Sequence, residues 1–315
     1  MPHSRHDRVG NDPVVSPSPS DLPRTYLRAV ELWRTRTDDD ALVHAGGYYS
    51  HHRAFGDTSR AMLFPRGQGL IGRCAATAKA QLCDELSAES GFLRSEAAER
   101  EGINLAIAFP LERLGEGPGV LSFFFSHRRG DPSGGVELWD NTPEPDKWCL
   151  QAAHHGDAEE FRRVSSQFRF EKGVGLPGRV ARSEIPELLN RLDDTEFLRA
   201  LAAETSGFSQ AIGLPVPGPS PSVLVLLGHV TQPVAWRAEV WERVNDSNFE
   251  PKAVQRATPQ ASIVFDRIPW LERAERLREP VVFSFVEPGH PEIPHGGVIL
   301  PYFSQSRTVC CVLIW

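Results

Sequence analysis

Short apolar segments alternate with polar, turn-forming stretches along most of the chain. Residues 30–34 and 136–140 are apolar and aromatic, and runs of this kind and length predict strands. An acidic, turn-rich stretch follows each of them, and second strands are expected over residues 41–49 and 148–153. Two parts of the chain therefore begin with the same pattern.

The later parts of the two patterns also agree. A Gly-x-Gly-Leu-x-Gly-Arg block occupies residues 67–73 and 173–179. It predicts a tight turn leading into a helix, since glycine permits unusual backbone angles and alanine-rich sequence follows the first block. Further helices are expected before Gly102 and Gly207, which suit helix C-termini. The remaining expected elements are helices at 95–101 and 197–206, strands at 106–110, 120–125, 211–215 and 223–227, and an amphipathic helix at 233–244.

A constant sequence offset shows that the two patterns form an internal repeat. Glu31-Leu32-Trp33 recurs as Glu137-Leu138-Trp139, an offset of 137 − 31 = 106, and the glycine blocks share this offset. Gly102 and Gly207 are 105 apart, which implies one deleted residue. A repeat of this length indicates duplicated domains, because solenoid units are much shorter.

The order of elements in each copy predicts an α+β module with a central antiparallel sheet flanked by helices. This order resembles that of GAF domains: an early strand hairpin, the Gly-x-Gly-Leu-x-Gly-Arg turn and helix, a small-residue helix ending in glycine, an apolar strand with proline, and a closing Val-Leu strand. The resemblance covers about residues 25–130 and 134–245. It implies tandem GAF-like sensory domains.

The segments outside the repeat lead to separate expectations. Residues 1–23 are rich in proline and serine and are expected to form a disordered leader. We divide the remainder into residues 24–130, 131–245 and 246–315. The last segment contains a predicted helix and strands and is interpreted as a truncated third module or an extension of the second sheet. Its apolar end predicts a buried strand, and the chain could also be part of a longer protein.

Composition narrows the classes of partner. The formal net charge is −7 and no basic stripe occurs, which argues against nucleic acid. The longest apolar stretches, 223–227 and 309–315, are too short to span a membrane. Five cysteines without a Cys-x-x-Cys spacing are typical of a reducing compartment, so a cytoplasmic location is expected.

The GAF resemblance suggests where a small molecule could bind. Aromatic residues in segments that face the GAF pocket could line an apolar site, although such residues also form ordinary cores. An arginine in each glycine block could bind a carboxylate or phosphate, with a salt bridge from helix to loop as the alternative. The candidate ligand-binding residues are Phe64, Arg73, Phe92, Phe109, Phe170, Arg179, Phe197 and Phe208.

Other chemistries have weaker support in the sequence. The glycine blocks lack the Lys-Ser/Thr of a P-loop, and adjacent histidines in a strand point to opposite faces, so no metal or other cofactor is expected. Cys74 and Cys83 lie where GAF-type free methionine sulfoxide reductases keep redox cysteines, but Ile71 replaces the cysteine of that family's turn. The signatures of cyclic-nucleotide-binding and bilin-binding GAF domains do not occur.

These observations predict a noncatalytic sensory or regulatory protein. It would bind a small molecule, or act through a protein partner or as a homodimer, in signal transduction. Two alternatives remain open at this point: a thiol-redox enzyme related to free methionine sulfoxide reductase, and a dimerisation scaffold without a ligand. The scaffold predicts interiors filled by the chain's own side chains.

Overall fold

The computed structural model describes residues 24–127, 130, 133–219, 221–245, 248–257, 265–287, 290–304 and 307–315. The expected leader, 1–23, lies outside the described residues. In these ranges the strands form three antiparallel sheets, one after another along the chain. Helices of six to ten residues connect or cover their strands.

The first sheet has the order β3-β2-β1-β6-β5-β4. Its elements are β1 (Leu27–Thr35), β2 (Leu42–Tyr48), α1 (Arg53–Ala61), β3 (Leu63–Phe64), α2 (Gly69–Thr77), β4 (Gln81–Cys83), α3 (Ser95–Arg100), β5 (Leu105–Leu114) and β6 (Gly117–Phe125).

The second sheet has the order β10-β11-β12-β7-β8-β9, which is the order of the first sheet read from the other edge. Its elements are β7 (Gly135–Asp140), β8 (Lys147–His154), α4 (Glu159–Gln167), β9 (Arg169–Glu171), α5 (Gly175–Ser183), β10 (Glu187–Leu189), α6 (Ala200–Thr205), β11 (Phe208–Val216) and β12 (Ser222–His229).

The third sheet has the order β14-β13-β17-β16-β15 and repeats the same arrangement without the outermost strand. Its elements are β13 (Arg237–Asn245), β14 (Asn248–Arg256), α7 (Ile268–Leu277), β15 (Val281–Glu287), β16 (His290–Ser304) and β17 (Arg307–Ile314). The apolar segment at the end of the sequence is buried, as expected, because β17 lies between β13 and β16.

The predicted fold class, α+β tandem GAF-like domains, is wrong. Strands hold 45% and helices 22% of the structure, which is a β-rich fold of three curled sheets. Two physical reasons explain the difference. The helices are short, and edge strands such as β4 and β10 contain only three residues, too few for a recognisable alternation.

The prediction of a helix over residues 233–244 is also wrong. This segment contains β13, which pairs with β17, for example Val240 with Cys311. Ala238 and Val240 pack in a buried core. The alternation of a strand therefore decides the structure over the helix-forming charged residues of this segment. The expected boundary at residue 245 therefore falls within the β13–β14 hairpin of the third sheet.

One central core joins the three sheets. It contains Leu121 and Phe123 from the first sheet, Leu224 from the second, and Val298 and Leu313 from the third. Each sheet has a further, outer core on its other face, where its helices pack. Both faces of each sheet are thus covered, which explains why the middle strands β6, β12 and β17 are almost wholly apolar.

The consecutive aromatic residues of β6 fit this arrangement. Phe123 and Phe125 point into the central core, and Phe124 points into the outer core of the first sheet. Likewise, Cys311 lies in the central core and Cys310 in an outer one. Both strands are therefore covered on both faces. Among the described residues, the helices are all too short or too polar to cross a membrane.

Candidate functional site

A buried carboxylate occupies the outer core of the first sheet. Two positions apart on β1, Glu31 and Trp33 share a face, and the Trp33 Nε1 donates to Glu31 Oε2 at 2.9 Å. The Arg94 guanidinium donates to Glu31 Oε1 at 2.6 Å, and the Tyr49 hydroxyl donates to the same oxygen at 3.1 Å. The side chains of Glu31 and Arg94 are both fully buried. Burial alone would raise the pKa of Glu31, but the charge and hydrogen bond of Arg94 outweigh it and hold this pKa below its ordinary value.

The second sheet holds the same arrangement. Trp139 Nε1 and Arg199 Nη2 each donate to Glu137 Oε2 at 2.9 Å, and Arg199 Nη1 also donates to Oε1. His155 takes the place of the tyrosine, with its Nε2 2.9 Å from Glu137 Oε1. Burial opposes ionisation here too, yet Arg199 and His155 keep the pKa of Glu137 far below its ordinary value. The buried acid is therefore a carboxylate.

The third sheet carries a related cluster. Trp241 Nε1 donates to Glu239 Oε2 at 2.7 Å, and Arg267 Nε lies 2.5 Å from that oxygen. Arg237 forms a second ion pair with the carboxylate. We refer to these three groups, centred on Glu31, Glu137 and Glu239, as the carboxylate clusters.

Aromatic rings surround the arginines of the first two carboxylate clusters. The guanidinium carbon of Arg94 lies 4.7–5.4 Å from the centroids of described rings, those of Trp33, Phe55, Phe64, Phe92 and Phe124. That of Arg199 lies 4.8–5.7 Å from Trp139, Phe161, Phe170 and Phe197. Cation–π attraction compensates for the buried nitrogens that lack a hydrogen-bond acceptor, such as Nε of both arginines. The interior of each copy is thus filled by its own arginine.

The candidate aromatic residues fall in two places. Four of them pack around these arginines: Phe64, Phe92, Phe170 and Phe197. Their rings were expected to contact a ligand, but they contact an arginine side chain of the protein. Phe208 lies nearby and packs edge-on against Phe161. The structure does not bring Phe109 to them, since it points into the central core and contacts Phe123.

The candidate arginines do not enter these interiors. Arg179 forms an ion pair with Glu187 and donates to the Glu196 carbonyl at 3.1 Å, so it ties its helix to the neighbouring strand and loop. The contacts of Arg179 therefore match the salt bridge from helix to loop that was the alternative to ligand binding. The side chain of Arg73 reaches towards Gly91, where a Cβ would lie 3.4 Å from its Nη1.

Arg94 and Arg199 were not among the candidate residues predicted from the sequence, although the sequence contains a signal for both. They end the tripeptides Phe92-Leu93-Arg94 and Phe197-Leu198-Arg199, which are 105 residues apart like the nearby glycines. Phe265-Asp266-Arg267 has the same Phe-x-Arg spacing in the third unit. A charged residue repeated between apolar ones is the pattern that identifies a buried ion pair.

The glycine blocks have a structural role. Gly69 and Gly175 both have φ of +60°, where side chains are disfavoured. A Cβ on Gly72 would lie 2.2 Å from the Pro65 carbonyl oxygen, and one on Gly178 would lie 2.1 Å from that of Glu171. These glycines therefore allow the helix start to pack directly against the preceding strand.

The other candidate groups have ordinary partners. His44 Nε2 lies 2.7 Å from the Tyr49 hydroxyl, and His52 Nδ1 lies 3.2 Å from Glu101. Burial raises the pKa of the Cys74 thiol to about 12, which suppresses the nucleophilic thiolate. Cys83 is buried as well.

A cavity of about 710 Å³ lies where the three sheets meet at one end of the central core. The equivalent strands β5, β11 and β16 each contribute to its wall, through Phe109 and Leu111, Pro215 and Val216, and Leu300 and Tyr302. We call it the junction cavity. Its size is within the range of small-molecule sites.

The wall of the junction cavity combines apolar surface with charged and polar groups. They include Arg113, Lys172, Arg278, Glu112, Glu184 and Tyr302. Arg278 lies over the ring of Phe303, with its guanidinium carbon 3.8 Å from the centroid. Burial raises the pKa of Tyr302 well above its ordinary value, so its hydroxyl stays protonated and can donate. Phe109 is the one candidate ligand-binding residue found among the described lining residues.

Comparisons with known proteins do not identify a family. No family model matches the chain, and no curated protein matches it. Among solved structures, it is similar to a Staphylococcus aureus NreA protein mutated in its nitrate binding site, with 11% identity and a TM-score of 0.27. That match covers 38% of this chain and 83% of the NreA chain. A likeness this weak carries no argument about function, and the GAF resemblance stays a prediction.

Proposed function

We propose that this protein is a noncatalytic regulatory protein that binds a small molecule in the junction cavity. The observation that carries the proposal is the shared wall, to which each of the three sheets contributes an equivalent strand. A ligand in that position contacts all three units at once. Its binding free energy would favour one arrangement of the sheets, which is the physical basis of regulation.

The filled interiors support the choice of this cavity. Arg94 and Arg199 occupy the positions among aromatic rings where a ligand was first expected, and each is held by a buried carboxylate. Displacing either arginine would leave a buried charge without its partner, at a cost of several kcal/mol. A ligand therefore binds far more easily between the units than inside one.

The lining indicates the class of ligand. Leu111, Val216 and Leu300 offer apolar surface, and Lys172 forms no ion pair with a described residue. The Tyr302 hydroxyl adds a neutral donor. An apolar molecule with one carboxylate matches this combination, since its body would cover the apolar wall and its carboxylate would meet the lysine and the hydroxyl.

A binding screen with matched variants tests the proposal. Aliphatic and aromatic monocarboxylates would be screened by thermal shift, because a ligand of the native state raises stability, and hits would be measured by calorimetry. Lys172→Gln should weaken binding about tenfold, and Tyr302→Phe by a similar factor. Lys252→Gln, on the third sheet away from the cavity, is the control. Equal affinities for all variants, or no saturable binding by any carboxylate, would reject the proposed site.

A scaffold function is the second candidate, and the arginine-filled interiors favour it. It predicts that no small molecule stabilises the protein and that the native chain associates with itself or with a protein partner. Light scattering during the same screen would detect self-association. Thiol-redox catalysis has less support, because Cys74 is buried and its pKa is raised.

A further inference from the structure

Three apolar side chains are exposed on the second unit, where α5 and α6 begin. They belong to Val174, Leu198 and Leu201, whose exposed fractions are 44%, 48% and 79%. Among the large apolar residues of the part of the chain that the structure describes, Leu201 is the most exposed. We call these three residues the apolar patch. Neighbouring exposed apolar side chains with charged residues around them are typical of contacts between proteins.

The local backbone brings the three side chains to one surface. Val174 is the N-cap of α5, and a Cβ on the next residue, Gly175, would lie 3.6 Å from Leu198 Cδ1. Leu198 comes immediately before Arg199, the N-cap of α6, and Leu201 lies in the first turn of that helix. The starts of the two helices therefore share one exposed surface.

The fold does not require apolar residues at these positions, as the first unit shows. At the repeat offset of 106, the counterpart of Val174 is Gln68, which is exposed. At the offset of 105, the counterpart of Leu201 is Glu96, which is exposed in the first turn of α3. A carboxylate is favoured in the first turn of a helix, whereas a leucine gains nothing there from the helix dipole. The apolar side chains of the second unit therefore indicate a contact beyond the folded chain.

Two charged residues flank the apolar patch. Arg182 lies beside Val174, because a Cβ on the preceding residue, Gly173, would lie 3.0 Å from Arg182 Cδ. Glu204 follows Leu201 by three positions in α6, so the two side chains share a helix face. Neither Arg182 nor Glu204 forms an ion pair with a residue that the structure describes. A positive charge thus lies next to one member of the patch and a negative charge next to another.

We infer that two copies of this chain associate through the apolar patch as a symmetric dimer. In a twofold arrangement, Val174 of one copy faces Leu201 of the other. The same symmetry brings Arg182 of each copy opposite Glu204 of the other, so two ion pairs form at the rim. The surface is complementary to itself, which favours a second copy over an unrelated partner. The junction cavity is lined by other residues, so the dimer is independent of the function proposed for that cavity.

Sedimentation equilibrium of the full chain, without any ligand, tests the inference. The average mass should rise from that of one chain towards that of two between about 1 and 100 μM. Leu201→Gln should weaken dimerisation about tenfold or more, since twofold symmetry counts each lost apolar contact twice. Because Leu201 is 79% exposed, this variant should fold, which circular dichroism would verify.

A matched pair of variants locates the contact on the second unit. Leu93 is the counterpart of Leu198 in the first unit and has the same exposed fraction of 48%. Leu198→Gln should weaken dimerisation, and Leu93→Gln should leave it unchanged. Equal effects of these two substitutions, or a dimer that Leu201→Gln leaves intact, would overturn the assignment of the patch. A chain that stays monomeric up to about 1 mM would overturn self-association altogether.

Charge reversal tests the twofold arrangement itself. Arg182→Glu would place two carboxylates together at each rim contact, and Glu204→Arg would place two guanidinium groups together. Each should weaken dimerisation about tenfold. The double variant restores opposite charges and should recover most of the affinity, which a change in folding would not do. Weaker dimerisation in both single variants without recovery in the double variant would overturn the pairing of Arg182 with Glu204.

Discussion

Arg199 donates from two guanidinium nitrogens to the two carboxylate oxygens of Glu137, and both side chains are buried, at 1% and 0% exposure. The residues are 62 positions apart in the sequence. Their pair therefore ties β7 to the start of α6 across the outer core of the second sheet. Arg94 and Glu31 make the equivalent connection in the first sheet.

Removing one partner of this pair should be strongly destabilising. Glu137→Gln leaves the Arg199 charge buried without a counterion, and we expect a loss of about 3–5 kcal/mol in the free energy of unfolding. Urea denaturation measures it. Glu187→Gln, which breaks the more exposed pair with Arg179, is the matched control and should cost about 1 kcal/mol or less.

The double variant sharpens this test. Glu137→Gln with Arg199→Met removes both charges and should recover part of the lost stability, because no unpaired charge remains. If Glu137→Gln and Glu187→Gln had equal free energies of unfolding, the buried pair of Glu137 and Arg199 would contribute no more to stability than the exposed pair, which would contradict the prediction.

The helices that precede β4, β10 and β15 end in the same backbone conformation in the three units. Ala78, Glu184 and Arg278 have φ of 51°, 56° and 57°, which is the left-handed region. Ala78→Gly should therefore stabilise the protein by about 0.5–1 kcal/mol, since glycine adopts this conformation without steric cost. Ala76→Gly, at an exposed position inside the same helix, should destabilise by about 1 kcal/mol. Thermal denaturation of both variants checks the opposite signs, and the same sign for both would contradict the conformation of Ala78.

The glycine block of the first unit should tolerate no side chain at its third glycine. Because a Cβ on Gly72 would meet the Pro65 carbonyl oxygen at 2.2 Å, Gly72→Ala must shift the backbone. We expect a loss of about 1–3 kcal/mol or more, as for overpacked sites. Gly46→Ala is the control, since its Cβ would come no closer than 4.0 Å to Leu32. Chemical denaturation measures the free energy of unfolding of both variants. A Gly72→Ala protein as stable as the unchanged protein would contradict the close approach of Gly72 to the Pro65 carbonyl oxygen.

The sequence allowed the repeated elements of the first two units to be predicted, because their apolar runs and glycines lie at a constant offset. The helix at Ser95–Arg100 and the strands that contain Pro110 and Pro215 are examples. The third sheet could be predicted only in part. Glu239 and Trp241 repeat the Glu-x-Trp spacing, but charged neighbours in β13 suggested a helix.

The binding sites were harder to predict for a physical reason. The candidate phenylalanines were correctly placed in buried segments, yet a sequence does not show whether an interior is empty or filled. Arg94 fills the first one because Glu31, 63 residues earlier, compensates its charge. The junction cavity depends on how three sheets pack together, and no local pattern encodes that arrangement.

The pH dependence of stability should report the half-buried ring of His154. Burial, and then the neighbouring His127, lower the pKa of His154 from 6.5 to about 4. The unfolded chain thus binds a proton before the native protein does. The contribution of His154 to stability is complete above about pH 6.5 and is lost as the pH falls towards 4, by the linkage between proton binding and folding.

Replacing this histidine isolates its contribution. In His154→Gln the free energy of unfolding should fall less steeply between pH 6.5 and 4 than in the unchanged protein, because one differential proton uptake is gone. His229→Gln is the control, since only partial burial lowers the pKa of His229, and its slope should change less. Urea titrations at several pH values provide the slopes. If His154→Gln followed the unchanged protein throughout this range, the native ring would be protonated as readily as the unfolded one, which would contradict the lowered pKa of His154.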